Sequence, residues 1–258
     1  RDVVAISAGK MHAVALRSDG TVAAWGDNTY GQTTPPRNLS HVVAISAGGY
    51  HTLALRSDGT VVAWGAGEPG VDSGAAWNYG QSVVPQVLAD VVSIAAGACR
   101  SFALKSDGSV VAWGKSNTNL RMGWGAVAIA AGDWHLVALQ ADGKLEEGIF
   151  DLGQYIATTT LGDVVAVAAG ASFSVALSAD GKISAWGKNN KGQCSVPVGL
   201  NDVVAISAGK AHVVGVQVRG ISATLTLNRP RGDISPNTMQ VFKLGCAVLA
   251  AMDLEISL

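Results

Sequence analysis

The chain has 258 residues, 48% of them hydrophobic and only 14% charged, with a formal net charge of −1. That balance supplies a large core but no Lys/Arg stripe of the kind a nucleic-acid binder presents. No apolar run reaches the roughly 18 residues of a membrane-spanning helix, so nucleic acid and direct membrane insertion are set aside as first readings.

From the N terminus, Val3-Val4-Ala5-Ile6-Ser7-Ala8 is an apolar run closed by Gly9, and the same Ala-Gly pair returns at Gly48, Gly97, Gly132, Gly170 and Gly209. A period of about 39 residues means a repeat architecture, in which each unit hides its apolar faces against its neighbours. Units start near residues 2, 41, 90, 125, 163 and 202. In the second unit, Val42–Ala47, His51–Leu55 and Thr60–Gly65 are three short β-prone segments, separated by Ala-Gly and by Asp58-Gly59. Asp-Gly between apolar runs signals a hairpin, because glycine supplies the positive φ of the tight turn. The same pair stands at Gly20, Gly108, Gly143 and Gly181. Each unit therefore reads as an antiparallel meander of at least three strands, with Gln32-Thr33-Thr34 a fourth, shorter one. No segment before residue 234 shows sustained helical periodicity with caps. The expected fold is all-β: a β-propeller of six or seven short blades over residues 1–218. The Trp-Gly strand ends favour it over a straight solenoid, since a bulky ring there wedges between blades.

Beyond residue 219 the vocabulary changes. Ile221–Leu227 alternates as a half-buried strand, and Asn228–Asp233 reads as a turn. Ser235 followed by Pro236 reads as a helix start. Met239, Phe242, Cys246, Leu249 and Met252 then share one helical face, and Leu254, Ile256 and Leu258 alternate as a second strand. Residues 219–258 are thus expected to be a strand-helix-strand segment opening a second domain. Alternatively, the echo of Gly181–Ala185 in Gly220–Ala223 makes the first tail strand the completion of the sixth blade. The start without Met at a repeat edge, and the end inside an alternating pattern, suggest a segment of a longer protein.

His12, His51, His135 and His212 recur at one repeat position, where Arg100 and Phe173 stand in other units. Ring-related copies sit around an axis instead of converging as metal ligands must, so a structural role is expected, with no metal and no cofactor. No nucleophile stands beside a base, so no catalytic residue is assigned. Gly65-Ala66-Gly67-Glu68-Pro69-Gly70 matches a dinucleotide fingerprint in letters only, because no helix opens after it. Trp25, Trp64, Trp113 and Trp186 end equivalent strands and are expected to pack between blades. Tyr30, Tyr50, Trp77, Tyr79, Trp124 and Trp134 fall in turns or insertions, where aromatics anchor protein interfaces. Cys99, Cys194 and Cys246 form no disulfide framework. Asn38-Leu39-Ser40 is a glycosylation sequon on a surface loop, and Arg231-Gly232-Asp233 is explained by the turn before the helix.

Taken together, Gly48-Gly49-Tyr50-His51-Thr52-Leu53, the Ser-Asp-Gly…Ala-Trp-Gly runs and Trp25-Gly26-Asp27-Asn28-Thr29-Tyr30-Gly31-Gln32 resemble repeats of the regulator of chromosome condensation family. The resemblance spans residues 2 to about 218 and implies a β-propeller, commonly seven-bladed. Members that exchange guanine nucleotides carry Gly-Gln-Leu-Gly after the tryptophan strand. Here Gly31-Gln32-Thr33-Thr34-Pro35-Pro36 and Gly192-Gln193-Cys194-Ser195-Val196-Pro197 are similar to compact secreted bacterial members, the β-lactamase inhibitory proteins among them. The third unit lacks Gly-Gln, the fourth has Glu146-Glu147-Gly148 in place of Ala-Trp-Gly, and the sixth lacks both Asp-Gly and Trp-Gly.

The sequence thus points to a non-catalytic protein-interaction or structural module, taking a protein partner or neighbouring subunit of a larger assembly. An extracellular or cell-surface setting is expected from the compact repeats, low charge and Asn38, with a cytoplasmic one still open. A nucleotide exchange regulator and a secreted enzyme inhibitor are the alternatives the resemblance implies. For the inhibitor, the gripping positions after the Ala-Gly pairs fall on Met11, Tyr50, Cys99, Trp134, Ser172 and Ala211.

Overall fold

The computed structural model describes residues 2–67, 77–115, 125–149, 154–158, 161, 163–219 and 222–228. Trp124, Arg231-Gly232-Asp233, Cys246, the end of the glycine motif at Glu68–Gly70, and the helix and last strand expected over 235–258 lie outside the described residues.

The described residues form strands and turns, with no helix among them. The first sheet holds β1 (Val3–Ala8), β2 (His12–Arg17) and β3 (Val22–Gly26), and the second β4 (Val42–Ala47), β5 (His51–Arg56) and β6 (Val61–Gly65). The third holds β7 (Val91–Ala96), β8 (Arg100–Lys105) and β9 (Val110–Gly114). The fourth has four strands, β10 (Ala126–Ala131), β11 (His135–Gln140), β12 (Leu145–Ile149) and β13 (Gln154–Thr158). The fifth holds β14 (Val164–Ala169), β15 (Phe173–Ser178) and β16 (Ile183–Gly187), and the sixth β17 (Val203–Ala208), β18 (Val213–Arg219) and β19 (Ser222–Asn228). Each sheet is an antiparallel meander in chain order, and the first strands β1, β4, β7, β10, β14 and β17 pack in succession. This is a β-propeller of short blades. The first tail strand is β19, paired with β18, so it completes the sixth blade.

Local chemistry explains the repeat. Each unit opens on a residue in the left-handed region: Asp2, His41, Asp90, Asp163 and Asp202 have φ of 67, 55, 61, 57 and 55°, and Gly125 takes the position in the fourth blade. Aspartate tolerates that conformation better than most side chains, and a bulge follows it in every first strand. The hairpins are three-residue loops, not two-residue ones: Gly20 (φ 76°) donates its N–H to the Arg17 carbonyl at 3.0 Å. Asp19 is not itself left-handed; its Oδ1 accepts from the Thr21 N–H at 2.9 Å and closes the turn.

The expected fourth strand at Gln32-Thr33-Thr34 is a turn instead. Its fully buried Gln32 side chain points inward and braces the loop, accepting from Tyr30 N–H at 2.8 Å and donating to Asp27 Oδ2 at 2.7 Å.

The middle strands alternate large and small residues, which gives the blades a direction. Leu53 and Leu55 pack forward with Ile94 and Trp113 of the third sheet, while Ala54 turns back into the core formed with Val14 and Leu16 of the first. Phe102 and Leu104 likewise pack forward on Leu136 and Ala138, with Ala103 behind. Large side chains of one sheet thus pack against the rear face of the next, where alanines leave space for them.

The Ala-Gly glycines set how closely successive sheets approach. A β-carbon on Gly48, Gly97 or Gly170 would lie 2.6 Å from the carbonyl oxygen of Gly97, Gly132 or Gly209, respectively, and Gly9 and Gly132 meet the carbonyls of Gly48 and Gly170 in the same way. None of these glycines has a positive φ; the position needs space, not conformational freedom. Hydrogen bonds run along the same line, Lys10 N–H to Gly48 O at 3.3 Å and Gly49 N–H to Gly97 O at 3.0 Å.

The first sheet breaks the pattern on its outer side. Val3 is 53% and Trp25 44% exposed, against 1% for Trp64 and 7% for Trp113. The blade-packing role expected of Trp25 is therefore not filled among the described residues, because no Gly-Gln loop stands on its side of the first sheet to receive it.

Gly48→Ala is expected to destabilise the chain by about 2–3 kcal/mol, since backbone carbonyl cannot move aside cheaply. Gly80→Ala, at φ 78° with only the Val83 side chain nearby, at ordinary contact distance, should cost only about 1 kcal/mol. Urea unfolding of the two variants checks the difference.

Candidate interaction surface

Two kinds of polar construction meet at the end of the blades away from the Asp-Gly hairpins. One lies inside, between sheets. The Gln32 carbonyl accepts the Thr52 hydroxyl and the Trp64 indole N–H, both at 3.0 Å, and His12 Nε2 lies 3.0 Å from Thr52 Oγ1. The arrangement repeats one blade on: the Gln81 carbonyl accepts from Ser101 at 2.8 Å and from Trp113 at 2.9 Å, with His51 Nε2 2.9 Å from Ser101 Oγ. Since each hydroxyl proton goes to the carbonyl, the histidine Nε2 is the donor to the hydroxyl oxygen.

The fourth blade, whose third strand carries Glu146-Glu147-Gly148, builds the same junction differently. Buried Glu147 stands in for the missing glutamine carbonyl: Oε1 accepts from Ser174 Oγ at 3.0 Å and Oε2 from Trp186 Nε1 at 2.9 Å. His135 Nε2 lies 3.0 Å from Ser174 Oγ and 3.6 Å from Glu147 Oε1. Sequence reasoning registered Glu147 as a departure from the repeat and missed this role. The register shifts the alignment by one: Gly148 pairs with Leu136 as Trp113 does with Ser101, so the carboxylate stands just before the vacated tryptophan position, with Ser174 and Trp186 retained in the next unit. Because Ser174 is fully buried, the Glu-Ser-His contact is a joint between blades and offers no reachable nucleophile.

Burial holds these imidazoles neutral. It lowers His12 to about 4 and His51 to about 3. His135 is lowered as well, first by burial and against the pull of Glu147. Arg100, at the histidine position of the third blade, instead donates from Nε to the Lys115 carbonyl at 2.8 Å.

The second construction is on the surface. Tyr30 and Tyr50 meet edge to face, ring centroids 5.5 Å apart, and Tyr50 packs on Trp77 at 5.2 Å. Lys10 lies over both, 5.0 Å from the Tyr50 ring and 5.2 Å from Trp77, and donates to the Tyr50 hydroxyl at 2.8 Å. That hydrogen bond is the main reason its ammonium holds its proton more firmly than a free lysine. Beside this group, Lys115 lies 5.4 Å from the Tyr79 ring and 5.0 Å from Trp134. Of the expected partner-binding residues, the structure brings Tyr30, Tyr50 and Trp77 into one cluster and joins Tyr79 and Trp134 through Lys115. Sequence reasoning missed Lys10 and Lys115, which stand immediately after Gly9 and Gly114. Cys99 occupies the third-blade position equivalent to Tyr50 but is buried, and burial raises its thiol above the ordinary value. Asp133 is half-buried, and desolvation pushes its carboxyl up despite Lys210 and Lys10.

Fold and surface define a repeat propeller whose blades are riveted internally and whose loops at one end carry aromatic side chains. The sequence matches the family model of the Regulator of chromosome condensation (RCC1) repeat four times, at residues 3–32, 42–68, 91–119 and 164–193. The chain is an RCC1-type repeat β-propeller. No curated protein matches it by sequence. Among solved structures it is similar in fold to Prp20p of Saccharomyces cerevisiae, described with its binding to Gsp1p and histones, at 21% identity and TM-score 0.66 over 86% of this chain and 71% of that one. It is similar also to the CRINKLY WD40 ectodomain of the Arabidopsis thaliana receptor kinase ACR4, at 20% identity and TM-score 0.65 over 89% of this chain and 81% of that one. Human WBSCR16 is a third, at 16% identity and TM-score 0.64 over 84% and 74% of the two chains.

Two outcomes follow from the buried joints. The unfolded chain takes protons on His12 and His51 from the ordinary value of 6.5 downward, while the fold refuses them until about 4 and about 3. Stability is therefore expected to fall as pH drops from 6.5 toward 3 and to hold above 7, as melting curves across that range would show. Glu147→Leu strands Ser174 and Trp186 beside an apolar group and should cost about 2–4 kcal/mol, measured by urea unfolding at neutral pH.

Proposed function

We propose that this propeller is a non-catalytic protein-interaction module whose partner docks on the end carrying Tyr30, Tyr50, Trp77, Tyr79 and Trp134. One observation carries the reading: aromatics from turns far apart in sequence meet on one end, with Tyr30, Trp77 and Tyr79 braced by buried glutamine loops. Rigid aromatics supply contact area at small entropic cost, which is why they dominate interface energetics. His12, His51, His135, Thr52, Ser101, Ser174 and Glu147 serve joints between blades, so these buried groups are occupied in holding the fold.

The same reading extends to a module of a larger extracellular or cell-surface assembly. Asn38 and Ser40 of the sequon are exposed on the connection between the first two blades. The exposed face around Val3 and Trp25 suits a neighbouring segment or subunit. An intact mass of the natural protein carrying glycan at Asn38 supports that setting; a mass equal to the bare polypeptide counts against it.

Nucleotide exchange is the second reading, favoured by the fold shared with Prp20p, whose structure is described with binding to Gsp1p. Here the loops after the tryptophan strands run from Gln32 and Gln193 into tight turns and prolines, without the Gly-Gln-Leu-Gly that exchange factors of the resembling family carry. Inhibition of a secreted enzyme is weaker still, since of the six gripping positions only Tyr50 and Trp134 are aromatic and Cys99 is buried.

A photo-crosslinking residue placed at Tyr79 is expected to capture a protein partner, and one placed at Ser18, on the hairpin end, is not. Tyr50→Ala and Trp134→Ala should each weaken that complex by roughly 1–4 kcal/mol. Exchange assays with a small nuclear-type GTPase should show the spontaneous rate, and β-lactamases should remain uninhibited at micromolar chain. Capture only from the hairpin end, or clear acceleration of exchange, contradicts the reading.

A further inference from the structure

Five of the described lysines fall into two groups with different neighbours. On the hairpin end, Lys144 and Lys182 each meet the aspartate of their own turn at 2.6 Å, and Lys105 lies 3.8 Å from Asp107. On the aromatic end, Lys10 and Lys115 form no ion pair among the described residues. Lys10 is held by a neutral phenol and two rings, and Lys115 by two rings. Both are fixed in place by contacts that leave their charge unneutralised. Exposed Lys210 adds a third cation, and the carboxylate that Lys10 and Lys210 both sense is Asp133, which is half-withdrawn from solvent. In a chain of net charge −1, Lys10, Lys115 and Lys210 outnumber the two carboxylates described beside them, Asp133 and Asp27, the latter already taken up by Thr29 and Gln32.

We infer that the partner presents an acidic peptide segment, whose carboxylates meet Lys10 and Lys115 while its apolar or aromatic side chains lie against Tyr50, Trp77, Tyr79 and Trp134. This rests on the interaction-surface reading above and names the chemistry of the occupant. A cation held over a ring has less side-chain freedom left to lose, so its pairing with a carboxylate costs less entropy than an ordinary surface lysine would pay. A nucleic-acid strand fits less well. It needs a continuous basic track along its phosphates, whereas the cations here are separate points between rings.

The test uses fluorescein-labelled peptides of one length: an Asp/Glu-rich peptide containing two phenylalanines, its Asn/Gln twin, and a single-stranded oligonucleotide of matched charge. Anisotropy titrations are run with the whole chain at low and high salt. The acidic peptide should bind, about tenfold more tightly than the amide twin, and weaken as salt rises. K10Q combined with K115Q should cost about tenfold, K10R with K115R should restore most of it, and K144Q on the hairpin end should change nothing. Unchanged urea midpoints establish that the variants fold. Equal binding of the acidic and amide peptides, a neutral double variant, or tighter binding of the oligonucleotide overturns the inference. If crosslinking at Tyr79 still captures a protein in that case, the surface stands and only the acidic chemistry falls; if it captures none, both fall.

Discussion

From Gly9 to Gly170, each Ala-Gly glycine lies under the carbonyl oxygen of the corresponding glycine in the next sheet, at a separation that leaves no room for a β-carbon. This contact fixes the distance between successive blades on the axial side, and the rest of the structure is spaced from it. At that distance the leucines of one middle strand reach the alanines of the next, and a histidine ring folds beneath its own glycine. Gly48 and Gly132 are each within van der Waals reach of their own blade's histidine, His51 and His135. A larger residue at the glycine would push the blades apart and open every contact farther from the axis.

Farther out, the same spacing lets a main-chain carbonyl collect two donors from the next blade. The glutamine that offers this carbonyl also shapes the surface. Gln32 Oε1 accepts the Tyr30 N–H, and Gln81 accepts the Tyr79 N–H while donating to the Trp77 carbonyl at 2.6 Å. One buried residue thus links blade packing to the placement of the aromatic side chains. The surface is rigid because its supports are interior groups that the fold cannot release without leaving polar atoms unpaired. Glu147 shows the logic from the other side: where a blade lacks the glutamine loop, a buried carboxylate supplies the two acceptor oxygens that Ser174 and Trp186 require.

Much of this was legible in the sequence, because repetition averages out local ambiguity. The six Ala-Gly pairs and five Asp-Gly pairs placed the strands, and the Trp-Gly ends indicated blades. Other features resist single-sequence reading for physical reasons. Gln32-Thr33-Thr34 has strand-like composition, yet a buried side chain bracing its own loop makes it a turn. The residues opening the units, aspartate in four of the six, are left-handed, a backbone property no periodicity reports. Trp25 carries the same motif as Trp64, but its environment depends on what stands beside the first sheet. The surface was half legible: the aromatics stood out in turns, while Lys10 and Lys115 gained meaning only when the fold laid them across those rings.

The central claim is that one end of this propeller is built for contact while its polar interior is built for joining blades. Hydroxyl-radical footprinting of the chain, free and bound to its crosslinked partner, tests that most directly. The account predicts protection at Tyr30, Tyr50, Trp77, Tyr79 and Trp134, with Trp64 unreactive in both states and the Asp-Gly hairpins unchanged. Protection centred on the hairpin end, with these aromatics as reactive in the complex as in the free chain, would contradict it.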